Sequence, residues 1–316
     1  MWQLIVLFSA GAYVGWSVGA NDAGDCIGTS VGSGLLSYRR AIVLVALFVV
    51  IGALLQGENV METVGKGIVT VELPAAAIFA AMFSAGLFVT LATFFRLPVS
   101  TSQAIVGGVA GVGLAAGVDV NLSKLVTIAE VWVICPFLTG ILAFVFYHGL
   151  AFLLRRLRRP KLWDHALEVL LILSACYVSF SLGANDVGNS VGPIANLGVH
   201  SIWLRLLGGV SLAVGALTFG RRVTETVGGG IVRLDPLSAV SAQASAAVAV
   251  HFFSILGIPV STTQAIVGAV VGVGLVKGMR AIKGQRVVGI VVGWIGTPTT
   301  SGLVAFGVYK LISSIM

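Results

Sequence analysis

Long apolar runs separated by short polar stretches set the pattern of this chain from end to end. The runs cover roughly 2 to 36, 41 to 57, 74 to 95, 98 to 117 and 124 to 154, then roughly 166 to 197, 202 to 220, 236 to 256, 259 to 276 and 287 to 315. A helix needs about 20 residues to cross a bilayer, so the pattern predicts an all-α polytopic membrane protein. Polar motifs return with the runs. Gly19-Ala20-Asn21-Asp22 recurs as Gly183-Ala184-Asn185-Asp186. The stretch from Glu62 to Val69 recurs from Glu225 to Val232, and that from Pro98 to Gly107 recurs from Pro259 to Gly268. The offsets are 164, 163 and 161 residues, which marks an internal duplication. The expected organisation is a first repeat over 1–154, a short basic cytoplasmic linker over 155–165 and a second repeat over 166–316.

Charge placement predicts how the repeats are oriented. Whether each run crosses once or the third and fourth form a re-entrant hairpin, each half crosses an odd number of times. The second copy is then upside down relative to the first. Under that topology 15 of the 19 lysines and arginines fall on one side: Arg39, Arg40, Arg96, the cluster from Arg155 to Lys161, Arg221, Arg222, Arg233, Lys277, Arg280, Lys283 and Arg286. Lys66, Lys124, Arg205 and Lys310 take the other side. By the positive-inside rule the crowded side is cytoplasmic and both termini lie outside. A parallel duplication would blur this asymmetry.

Composition narrows the class. The chain is 57% hydrophobic and 10% charged, against about 25% charged in a soluble domain, so it cannot clothe itself in a polar surface. The net charge of +7 does not point to nucleic acid, because no basic stripe with interleaved aromatics exists. Cys26, Cys135 and Cys176 lie in apolar runs without metal-ligand spacing and are expected to pack. The four histidines, His148, His165, His200 and His251, do not repeat and are expected at the interfaces. The first run has no basic start, so it reads as a retained helix and not a cleaved signal. No nucleophile–base pair or metal cluster stands out, so an enzyme is not expected.

The repeated polar motifs are the candidate site. Gly19 suits a helix C-cap and Asn21 or Asp22 an N-cap, which predicts a helix broken at Gly-Ala-Asn-Asp; Pro193 is expected to interrupt the second copy. An ionised Asp near the bilayer centre costs roughly 2.5–3.5 kcal/mol, and these motifs contain no cation, so Asp22 and Asp186 call for bound cations. Ser100-Thr101-Ser102-Gln103 and Ser261-Thr262-Thr263-Gln264 cannot each lie on one helix face. Each follows a proline and precedes an apolar helix, so each is expected to be a helix N-terminus, a natural anion site. Behind the tips, Gly107-x-x-x-Gly111, Gly113-x-x-x-Gly117, Gly268-x-x-x-Gly272 and Gly274-x-x-x-Gly278 predict close helix contacts. Glu62 and Glu225 are either coupling carboxylates or interfacial loop charges.

At these residues the chain resembles the inorganic phosphate transporter family of sodium- or proton-coupled carriers. Gly-Ala-Asn-Asp-Val-Gly-Asn-Ser at 183 to 190 is similar to the family signature, while the first copy departs from it at Asp25 and Cys26, where the second has Asn189 and Ser190. The resemblance spans both halves and implies phosphate import by cation symport, in a homodimer in the plasma membrane. It assigns Asn21, Asp22, Asn185 and Asp186 to sodium and phosphate coordination, and Ser100, Thr101, Ser102, Ser261, Thr262 and Thr263 to phosphate oxygens. Gln103 and Gln264 would bridge the two ligands. Sodium ions are then co-transported ligands and no cofactor is implied. A proton-coupled carrier, a sulfate permease and an anion channel remain as rivals; carboxylates able to accept a phosphate O–H favour phosphate over sulfate.

Overall fold

The computed structural model describes residues 2–156, 160–230, 234–278 and 284–315. Twelve α-helices are found among them: α1 (Trp2–Gly32), α2 (Tyr38–Gln56), α3 (Glu58–Glu62), α4 (Ala75–Phe94), α5 (Thr101–Ala116), α6 (Leu122–Leu154), α7 (Pro160–Val191), α8 (Ser201–Phe219), α9 (Arg221–Gly230), α10 (Pro236–Ile255), α11 (Thr262–Val276) and α12 (Gly284–Ile315). A π turn, Thr63–Gly67, continues α3, and a 3-10 turn, Gly192–Ile194, follows α7. Eight of the described helices are long and apolar enough to cross a membrane: α1, α2, α4, α6, α7, α8, α10 and α12. Helices α5 and α11 have 16 and 15 residues. At about 1.5 Å per residue each falls short of a hydrocarbon core about 30 Å thick.

The sequence dictates where these helices start. Ser100 and Ser261 are extended N-caps whose hydroxyls accept from the Gln103 and Gln264 N–H groups, each at 3.2 Å. Asp235 caps α10 by accepting from Ser238 N at 2.9 Å, with Pro236 supplying a preset first turn. Asn121 caps α6 in the same manner. Gly117, at φ 71°, closes α5 in the left-handed conformation that glycine tolerates.

Small residues let the two halves interlock. A methyl group on Gly19 of α1 would lie 1.9 Å from the Leu212 carbonyl oxygen of α8, and one on Gly183 of α7 would lie 2.0 Å from that of Val49 in α2. Gly107 and Gly111 of α5 meet the Pro298 and Gly302 carbonyls of α12; Gly268 and Gly272 of α11 meet those of Pro136 and Gly140 in α6. Each contact has its counterpart when the halves are exchanged. The predicted glycine pairs therefore pack at 107, 111, 268 and 272, whereas Gly117 and Gly278 stand in open space at positive φ. The outer faces carry exposed apolar side chains such as Leu55, Phe137 and Ile295, a surface suited to lipid.

The expected helix break is corrected. Helix α1 runs through Gly19-Ala20-Asn21-Asp22 without a break, and α7 runs through Gly183-Ala184-Asn185-Asp186. The glycines serve close approach to a neighbouring backbone, so no C-cap forms, and the asparagines turn outward to other segments instead of capping. Pro193 sits in the 3-10 turn beyond the motif, where it ends α7. Helix α7 starts at Pro160, within the stretch expected as the basic linker. Arg158, Arg159, Ile231, Val232, Arg233, Arg280 and Lys283, used in the charge map or the repeat, lie outside the described residues.

Candidate functional site

Helices α1 and α7 each present one polar stripe in the C-terminal half of their length. Asp22 and Asp25 lie three residues apart and so share a face of α1, as Asp186 and Asn189 do on α7. Asn21, Asp22, Asn185, Asp186 and Asn189 are fully buried and Asp25 is 1% exposed. Against these stripes come the starts of α5 and α11, whose residues Ser100 to Gln103 and Ser261 to Gln264 are all buried.

The asparagines hold the two tips by their backbones. Asn21 donates to Thr93 Oγ1 (2.8 Å) and the Leu97 carbonyl (3.1 Å), and its Oδ1 accepts from Val99 N at 3.2 Å. Asn185 donates to the Val260 carbonyl (2.8 Å) and accepts from Val260 N (3.1 Å). The tips also hold each other: Ser102 Oγ donates to the Val260 carbonyl at 2.7 Å and Thr263 Oγ1 to the Val99 carbonyl at 3.1 Å.

The carboxylates receive the tip hydroxyls. Asp22 Oδ2 accepts from Thr101 of one tip (2.7 Å) and Thr262 of the other (3.2 Å). Asp25 Oδ2 accepts from Thr263 at 2.6 Å. Asp186 Oδ1 is served by its own helix, from Asn185 Nδ2 (2.6 Å) and Asn189 Nδ2 (2.8 Å), while Asn189 Nδ2 also reaches Ser102 Oγ at 2.7 Å. Asp22 and Asp186 come close enough for their side chains to interact directly. Elements distant in sequence thus converge on one small volume.

That volume is rich in unsatisfied acceptors. Asp22 Oδ1, Asp25 Oδ1, Asp186 Oδ2, Asn189 Oδ1, Gln103 Oε1 and Gln264 Oε1 are buried oxygens without a hydrogen-bond partner in the protein. Among the described residues no lysine, arginine or histidine is buried to balance the three aspartates. Buried charge without a counter-charge costs several kcal/mol per ion. Nor do three His, Cys, Asp or Glu side chains gather into a metal-holding group among those residues. Any cation here therefore draws on amide, hydroxyl and carboxylate oxygens together, a donor set suited to a hard ion. The first N–H groups of α5 and α11 add donors and positive dipole ends to the same place.

Two candidates do not join the cluster. Glu62 ends α3 with its side chain exposed. Glu225, also exposed, pairs with Arg221 at 3.2 Å and Arg96 at 3.8 Å. Other residues escaped notice: Thr93, which accepts from Asn21, and Gln243 on α10, which is fully buried. Gln243 Oε1 accepts from Ser30 Oγ (2.7 Å) and Ser174 Oγ (3.0 Å), and its amide donates to the Cys26 carbonyl, joining α1, α7 and α10. A single glutamine in a membrane-length apolar run was the available signal.

Comparison with known proteins gives this arrangement its context. The sequence profile of the phosphate transporter family matches residues 18–164 and 155–305. The chain belongs to the phosphate transporter family. Phosphate transporter family relatives include a Pyrococcus horikoshii protein provisionally named a phosphate permease, 30% identical over 397 aligned positions that take in 98% of each chain. Inorganic phosphate transporter 2-1, chloroplastic, of Arabidopsis thaliana is 29% identical over 400 aligned positions, 91% of this chain and 68% of that one. A solved structure titled as the sodium-dependent phosphate transporter matches with a TM-score of 0.88 at 28% identity, covering 100% of both chains. This member of the phosphate transporter family is a multi-pass membrane transporter and not an enzyme.

Proposed function

We propose that the protein imports inorganic phosphate by sodium symport with alternating access. The observation that carries this reading is the set of partnerless buried oxygens on Asp22, Asp186, Gln103 and Gln264, lying beside the N-termini of α5 and α11. The oxygens suit sodium and the N-termini suit an oxyanion. Asp22, Asp186, Gln103 and Gln264 coordinate sodium. Asn21 and Asn185, whose side-chain oxygens already accept from Val99 and Val260 N–H, contribute the remaining lone pair of each Oδ1. Thr101, Ser102, Thr262 and Thr263 turn their hydroxyls to phosphate, with Ser100 and Ser261 shaping the turns that present them.

Coupling follows from charge. Phosphate placed among carboxylates is repelled; with sodium in place each ion raises the affinity for the other, and such linkage is reciprocal. A net positive load gains about 2.3 kcal/mol per charge per 100 mV of membrane potential. Glu62 and Glu225 act at most from the surface. The exchange symmetry of the packing supports two inverted repeats, 1–154 and 166–316, whose α4–α5 and α10–α11 hairpins enter from opposite sides without crossing. In this reading the chain resides in the plasma membrane as a homodimer with both termini outside.

The test is labelled phosphate uptake into proteoliposomes under imposed sodium or proton gradients, with sulfate as competitor. Sodium-driven uptake that sulfate leaves intact is expected. Uptake indifferent to sodium defeats the assignment, and uptake that follows only the proton gradient replaces it with proton coupling.

A further inference from the structure

The duplicated Glu-Thr-Val-Gly segments stand outside the ligand cluster, yet both occupy the same place relative to it. In the second half the segment lies on α9, which rests directly on α1: a methyl on Gly24, between Asp22 and Asp25, would lie 2.9 Å from Thr224 N. The same helix grips the turn that leads into the α5 tip. Arg222 Nη1 donates to the Phe94 carbonyl at 3.2 Å and Thr226 Oγ1 to the Arg96 carbonyl at 3.1 Å. Helix α9 therefore spans the seam between α1 and the α5 tip.

In the first half, α3 and its π turn treat α7 and the α11 tip alike. A methyl on Gly188 of α7 would lie 2.8 Å from Met61 N. Asn59 Nδ2 donates to the Ile255 carbonyl at 2.8 Å, and the Thr63 hydroxyl stands 3.3 Å from the place of a Cβ on Gly257. The offsets of 163 and 161 residues pair Asn59 with Arg222, Thr63 with Thr226 and Arg96 with Gly257.

The two grips differ in strength. Arg96 and Gly257 both have left-handed backbone, at φ 59° and 69°, a conformation that glycine adopts freely and arginine only under strain. Such strain persists where the side chain has a use. The Arg96 guanidinium lies 3.8 Å from Glu225 and adds an ion pair to the hold of α9, whereas Glu58, the counterpart of Arg221, pairs with Arg205 of α8 at 3.5 Å. These grips on the turns lie at exposed positions, while the Asn185 bonds to the α11 tip are buried. Exposed bonds of this kind open at low cost.

We propose that the two segments are the gates of the transport cycle, α9 closing the seam on the Arg96 face and α3 with its π turn the seam on the Gly257 face. Arg222, Thr226 and Asn59 are the positioning residues that hold each gate to the opposing turn, and the Arg96–Glu225 pair fastens one gate more firmly than the other. The inference rests on the alternating-access reading above, in which the inverted repeats set the two faces on opposite sides of the membrane.

Ser102, fully buried between the tips, provides the reporter. Ser102→Cys, combined with Cys26→Ala, Cys135→Ala and Cys176→Ala, is treated with a membrane-impermeant methanethiosulfonate from each face of oriented vesicles. Thr226→Val is expected to raise the labelling rate from the Arg96 face about fivefold, the effect of one hydrogen bond on an opening equilibrium, and to leave the other face unchanged. Asn59→Ala does the reverse. Arg96→Gly removes ion pair and strain together, so it raises labelling from the Arg96 face without lowering the melting temperature. General loosening would raise both faces alike. Equal changes at both faces, or wild-type rates in all three variants, overturn the proposal. If the reporter protein fails to insert, half-saturating phosphate measured from each face in variants with native cysteines decides instead: a shift confined to one face is expected, and equal or absent shifts overturn the gates. Reciprocal effects with the faces exchanged support the gates and reverse the membrane orientation proposed above. Reporter labelling confined to one face under every combination of sodium and phosphate brings down the alternating-access reading itself, before any gate variant is measured.

Discussion

Asn185 and Val260 exchange two hydrogen bonds, the side-chain amide giving to the valine carbonyl at 2.8 Å and the side-chain carbonyl accepting from the valine N–H at 3.1 Å. A short residue with a donor and an acceptor side by side is needed, and only Asn meets that need. Asn185→Asp sets a carboxylate oxygen against a carbonyl and strips a buried group of its partner, at a cost of about 1–3 kcal/mol. The variant should still insert, with phosphate uptake in proteoliposomes down by about tenfold or more. Full uptake would show that the second tip stands without this brace.

The two central aspartates should not be equivalent. Asp22 takes hydroxyls from both tips, while Asp186 is served by asparagines of its own helix. Asp22→Asn is therefore expected to weaken sodium activation more than Asp186→Asn does, by about tenfold or more for the former. Sodium titrations of uptake test the order. Wild-type activation in both variants would assign the carboxylates a purely structural role.

Gly19→Ala should be harmful despite alanine's advantage of about 1 kcal/mol in a helix. The added methyl would meet the Leu212 carbonyl oxygen at 1.9 Å, and neither a Cβ nor a backbone carbonyl can swing aside, so α1 and α8 must separate. A fall in detergent melting temperature is expected, with Gly34→Ala as the comparison because nothing lies within 4 Å of it. Gly34 sits at φ 81°, so its own loss reflects turn strain and not crowding. Gly19→Ala melting no lower than wild type would mean the helices have slack.

Asp235 provides a pH test outside the spanning segments. Partial burial opposes its charged form, but the Lys277 ammonium at 2.6 Å and Ser238 outweigh this and hold the carboxyl below its usual range. A depressed folded value means the stabilisation is complete above the unfolded value of about 3.9 and is lost as pH falls through the lower, folded one. Asp235→Asn retains the cap and loses the charge, so it should cost no more than about 1 kcal/mol at neutral pH, given the pair's partial exposure. The gap between wild type and variant in thermal melts should close below about pH 4. A gap that persists there would place the effect in the cap.

What could be read from the sequence followed from local chemistry. Ser100 and Ser261 show as N-caps because a proline, a hydroxyl run and an apolar stretch follow one another, and that order has one good solution. The duplicated motifs marked Asp22 and Asp186 because a membrane tolerates few such residues. Gly19 was misjudged because a C-cap glycine and a close-packing glycine look alike until the opposing Leu212 carbonyl is known. The crossed pairs Thr263–Asp25 and Ser102–Asn189 join one half's tip to the other half's helix, and no local pattern encodes that exchange. Cys26 showed as a departure from the second copy, but its carbonyl's use by Gln243 depends on a helix more than 200 residues away.

The uninterrupted course of α1 and α7 bears on how cargo is let go. Carboxylates ride on two unbroken rods, whereas most hydroxyls and the dipole ends belong to two hairpin tips. If the proposed site holds the cargo, sliding a tip away from its rod would divide the ligand shell between separate bodies, and no turn of helix would have to unwind to release what was held between them.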